Sequence, residues 1–74
     1  MKVYCKRIID AGTAQYGGRI MVVLFECNNN LYHWVTSSKT KAMQILEEGK
    51  TYNVKWNQGT ESVSNVKILD TDME

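Results

Sequence analysis

The sequence predicts an all-β chain with one short helix, its five strands closing into a small barrel in the order β-β-β-α-β-β. Three observations predict it. Five segments (3–9, 19–27, 31–36, 51–57 and 63–69) are rich in β-branched and aromatic residues, and 51–57 alternates apolar with polar at a period of two. Glycine- or asparagine-rich breakers separate the first three. One segment only, residues 39–48, places its apolar residues at helical spacing.

The first strand, 3–9, ends at Ala11-Gly12-Thr13, and Tyr16-Gly17-Gly18 offers two adjacent glycines for a turn with positive φ. Residues 19–27 form the strongest strand signal. Asn28-Asn29-Asn30 follows, and asparagine tolerates the left-handed conformation that tight hairpins require. Residues 31–36 return as the third strand. Thr36-Ser37-Ser38 supplies hydroxyls for an N-cap. A helix of about ten residues then carries Ala42, Met43, Ile45 and Leu46, with Gly49 placed for a left-handed C-cap. In the fourth strand Tyr52, Val54 and Trp56 face one way and Thr51, Asn53 and Lys55 the other. Residues 58–62 form a polar loop before the fifth strand, and Asp70 to Glu74 reads as a frayed acidic tail.

With 74 residues, the chain is expected to be one domain, 1–74, with a core that leaves only a small net stability. Proline is absent, which excludes a proline-rich docking segment. The longest apolar run, Ile20 to Phe25, is six residues, far short of a membrane span, and the N-terminus does not read as a signal peptide. Cys5 and Cys27 both fall inside strands and read as reduced thiols, so a cytoplasmic location is expected, with no membrane partner. Net charge is +1 but unevenly spread. Residues 1–41 hold six basic side chains against two acidic ones, and residues 42–74 hold three against six, so the halves carry +4 and −3.

Five strands with one helix after the third is the sequence order of the OB-fold barrel, whose closure removes exposed sheet edges. A small SH3-like barrel is the competitor, and the position of the helix favours the OB order. Tyr16-Gly17-Gly18-Arg19, then Trp34-Val35-Thr36-Ser37, then Leu46-Glu47-Glu48-Gly49-Lys50-Thr51-Tyr52-Asn53-Val54-Lys55 resembles a small OB-fold-like module of phage and mobile-element proteins. The resemblance covers residues 2–57. It departs at Val66-Lys67-Ile68-Leu69-Asp70, where that pattern has a basic closing strand, so the resemblance implies fold more than nucleic-acid binding.

Catalysis is not expected. His33 is the only histidine, and a Cys–His pair with Cys27 would lack a third, orienting group. Two cysteines and one histidine are too few for a closed zinc site, and no Cys-x-x-Cys spacing occurs, so neither metal nor cofactor is expected. Glu47-Glu48 reads as solvated charge at the helix end. No glycine-rich phosphate loop ending in lysine is present.

Binding is the expected role. OB barrels hold single strands by stacking bases on aromatic rings of strands two and three while cations follow the backbone. The candidate residues for single-stranded nucleic acid are Tyr16, Tyr32 and Trp34, flanked by Lys6, Arg19, Lys39 and Lys41. Trp34, Tyr52 and Trp56 also suit a core. A three-residue turn at Asn28 to Asn30 would pair Cys27 with Leu31. Met21, Val23, Phe25, Cys27, Leu31, His33 and Val35 would then lie on one face, and Ile20, Val22, Leu24, Glu26, Tyr32, Trp34 and Thr36 on the other. Both faces are apolar, and a body this small can bury one. The surplus face supports the alternative, a phage or mobile-element factor that binds and inhibits or adapts a host or defence protein. Homo-oligomerisation through that surface is a third reading.

Overall fold

The computed structural model describes residues 1–15 and 17–71. These form an all-β fold with one short helix: β1 (Lys2–Thr13), β2 (Arg19–Cys27), β3 (Asn30–Ser37), α1 (Lys41–Ile45), β4 (Thr51–Gln58) and β5 (Val63–Thr71). β1 runs past Gly12 because bulges at Lys6 and Ala11 absorb the breaks in its pattern and let it keep pairing with β2. β5 likewise continues through Asp70 and Thr71, so these two residues are strand and not tail. The rest of the expected tail, 72–74, lies outside the described residues.

The strands make one antiparallel sheet in the order β3-β2-β1-β4-β5. The expected closed barrel is not completed by a ladder. The two edge strands approach each other through a single parallel bridge between His33 and Ser62, where the His33 N–H donates to the Glu61 carbonyl at 2.9 Å. Past that bridge α1, which follows β3, lies against β5 and sends Ala42 and Met43 into the core.

The β2–β3 hairpin differs from the expected register by one residue. Asn28 and Asn29 alone form the turn, both at positive φ (52° and 66°), so Cys27 pairs with Asn30 and not with Leu31. Two consecutive left-handed residues make a turn whose twist matches the strands, and asparagine tolerates that conformation. A one-residue slip moves every side chain of a strand to the opposite side. Tyr32, Trp34 and Thr36 therefore share a face with Phe25, Val23 and Met21, and Leu31, His33 and Val35 share the other with Ile20, Val22, Leu24 and Glu26.

The core collects Val3 and Cys5 from β1, Val23, Phe25 and Cys27 from β2, Trp34 from β3, Tyr52 and Val54 from β4, and Val63 and Val66 from β5. Phe25 is fully buried, with Trp34 stacked 6.4 Å and Trp56 tilted 5.4 Å away, centroid to centroid. The helix is half the expected length. Its N-cap is Thr40, and it ends at Ile45. Tyr52 explains the early end: its buried hydroxyl accepts the Glu47 N–H at 2.8 Å and donates to the Ile45 carbonyl at 3.4 Å, satisfying backbone groups that further turns would have used. Gly49 has φ 87° but lies beyond the helix, where its N–H bonds the Cys5 carbonyl at 2.8 Å.

Candidate functional site

Register places one continuous surface on the outside of β1, β2 and β3, laid out in cross-strand rows. Tyr4, Glu26 and Leu31 form the first, Arg7, Leu24 and His33 the second, Ile9, Val22 and Val35 the third, and Gly12, Ile20 and Ser37 the fourth. Val35 is 58% exposed and Leu31 52%, and Tyr4, Ile9 and Ile20 are also open to solvent. The third row is aliphatic from edge to edge. Arg7, in the second, is exposed and forms no salt bridge with any described carboxylate. A surface like this loses water favourably against another apolar surface.

The residues of the expected single-strand site stand in several different settings. Trp34 is 6% exposed and packs inward on Phe25. Tyr32 is half-buried, its ring 5.7 Å from that of Trp56 and its hydroxyl bonded by the Gln58 side-chain amide at 3.2 Å. Both rings point inward for the same reason, the two-residue turn. Tyr16 lies outside the described residues. Lys6 sits at a bulge of β1, 4.0 Å from the Glu26 carboxylate. Arg19 is tied twice: its side chain pairs with Asp10, and its backbone N–H donates to Ser38 Oγ at 2.9 Å while its carbonyl accepts the Ser38 N–H at 2.8 Å. Lys39 folds over the glycine turn, its Nζ 3.1 Å from where a Cβ on Gly17 would stand. That turn requires glycine, since Gly17 and Gly18 have φ of 93° and 72°. Lys41 opens α1 at the rim of an apolar hollow of about 440 Å³ against β5. Arg19 and Lys39 thus meet around Gly17-Gly18, while Lys6 and Lys41 lie on other elements.

Two titratable groups are shifted by their surroundings. The Arg19 side chain, and then the Gly12 N–H, hold the Asp10 carboxyl below its ordinary range. Burial, aided by the nearby Glu48 charge, pushes the Cys5 thiol up to about 11, which makes it an unreactive neutral group. Glu48 is not merely solvated, because its carboxylate accepts the Ile8 N–H at 2.7 Å and caps the stretch of β1 that β4 does not reach. His33 pairs with Leu24 and stands exposed on the outer surface, whereas Cys27 is buried on the inner one, so the two cannot act together. Among the described residues no cluster of His, Cys, Asp or Glu could hold a metal ion, and no helix is long and apolar enough to cross a membrane.

Comparison with known protein families, curated proteins and solved structures gives no match. The outer-surface residues that the sequence reading left out are Tyr4, Arg7 and Ile9. Their signal was present in the alternation of 3–9, but the bulge at Lys6 reverses the facing midway and hides it.

Proposed function

We propose that this chain is a non-catalytic OB-type module that binds a partner protein through the outer face of β1, β2 and β3. The OB reading is supported by the strand order, with β1 central and pairing β2 and β4, and by the parallel approach of β3 to the start of β5. The observation that carries the function is the aliphatic row Ile9, Val22 and Val35, bordered by Ile20 on one side and by Leu24 and Arg7 on the other, with Leu31 beyond and no described carboxylate paired to the arginine. A single-strand platform needs exposed rings for bases to stack on. Here Tyr4 is the exposed aromatic among the described residues of this face, while Tyr32 and Trp34 fill the core. The partner accordingly presents an apolar ridge with a carboxylate beside it. On the phage-module resemblance it is a host or defence protein in the cytosol, a compartment in keeping with the free thiols of Cys5 and Cys27.

The deciding experiment compares the chain with a Leu31→Lys/Val35→Lys variant. Protein binding predicts capture of one partner from a bacterial lysate that survives raised salt and is lost in the variant. Nucleic-acid binding predicts the reverse: affinity for a labelled single strand that falls steeply with salt and rises when two lysines are added. The second pattern would overturn the proposal.

A further inference from the structure

Lys55 of β4 and Lys67 of β5 stand directly opposite each other in the antiparallel ladder. Like charges in that relationship repel and weaken the pairing. Both side chains are exposed, and neither forms a salt bridge with a described carboxylate, although residues 42–74 carry twice as many acids as bases. The ladder is shaped around them. Asn65 and Val66 together oppose Trp56, a bulge in which Asn65 takes the left-handed conformation at φ 53°. That extra residue lets Val66 turn into the core while Lys67 stays outside with Lys55. The two lysines, Asn57 and Asn65 line a hollow of about 270 Å³ with Trp56.

We propose that this hollow is a binding site for a phosphate-bearing ligand, separate from the outer face of β1–β3. Two ammonium groups match the charge of about −1.5 to −2 on a phosphate monoester at neutral pH. Lysine offers three donors as a compact charge, and the side-chain amides of Asn57 and Asn65 supply further donors to phosphate oxygens. Bound phosphate also removes the repulsion between the lysines, so binding and strand pairing reinforce each other.

The test is an amide NMR titration of the full chain with inorganic phosphate, a nucleoside monophosphate and an oligothymidylate. Saturable shifts centred on residues 55–57 and 64–67 are expected. They should weaken about tenfold or more in Lys55→Gln and in Lys67→Gln, and persist in Lys50→Gln. Tighter binding of the monophosphate identifies a small phosphorylated ligand, whereas tighter, salt-sensitive binding of the oligothymidylate identifies a polynucleotide backbone. Both glutamine variants should melt at or above the wild-type temperature, because the repulsion is gone. Shifts scattered over all lysines, shifts unchanged in the variants, no shift at millimolar probe, or lower melting temperatures in both variants would each overturn the proposal.

Discussion

Cys27 faces Asn30 across a turn made of Asn28 and Asn29 alone, and this pairing settles which side of the sheet each residue of β2 and β3 occupies. The inward set then packs against β4 and β5, and the outward set is left as an unmatched apolar surface. If the turn controls the register, its two left-handed residues are where the hairpin is most sensitive. Asn29→Val should cost about 1–2 kcal/mol, since a β-branched residue resists that conformation, while Asn29→Gly should be neutral or mildly stabilising. Urea denaturation measures both, and equal stability of the three proteins would contradict the turn.

Trp34 is a packing residue in this arrangement. Trp34→Ala should cost about 3–5 kcal/mol, close to the whole stability of so short a chain. Fluorescence avoids that difficulty. In a Trp56→Phe background, Trp34 emission should be blue-shifted, shielded from iodide, and unaltered by added single-stranded oligonucleotide. Quenching by the oligonucleotide would mean that the ring is presented for stacking.

Leu31 and Val35 contribute little to the monomer's own core. Replacing each with lysine gives up some strand propensity but no buried contact, so each change should alter stability by less than about 1 kcal/mol. Larger losses in thermal or urea unfolding would show that the outer face is covered within the chain.

Cys5 links stability to alkaline pH. Its thiol is raised from 9.0 to about 11 by burial, so the folded state holds its proton more tightly than the unfolded state. The associated stability is fully present below pH 9 and is lost as pH rises towards about 11. Two pH units correspond to about 2–3 kcal/mol. Denaturation midpoints should fall over that window in the wild type and fall less in Cys5→Ala. Parallel pH curves would refute the assignment.

Asp10 acts at the other end of the scale. Its carboxyl is lowered by the Arg19 side chain and the Gly12 N–H, so its contribution is present above the ordinary carboxylate range and disappears as pH falls through the lower, folded value. Asp10→Asn should flatten the acid limb of the unfolding curve without moving the alkaline one.

Much of the architecture was legible in the residues. The β-former-rich run 19–27 located β2, the alternation of 51–57 put Tyr52, Val54 and Trp56 on one face, and the single helical segment located α1. The candidate surface was legible only in part. Two apolar layers on the β2–β3 hairpin were evident, yet the layer left outside depended on whether two or three asparagines make the turn, and the sequence Asn28-Asn29-Asn30 permits either. The helix was read too long because residues 46–48 keep a helical pattern, and the competing hydrogen bonds come from Tyr52, on a strand not yet placed.

The sequence by itself determined the element types, their order and the apolar excess, since these follow from local periodicity and turn chemistry. Tertiary structure alone decided the register, the bulges at Lys6 and Asn65, the meeting of Lys55 with Lys67, and the side of the sheet that remains open. The physical reason is that a strand's pattern repeats every two residues. Sliding by one leaves its local energetics almost unchanged and exchanges its two faces, so only packing against the other strands can choose between them.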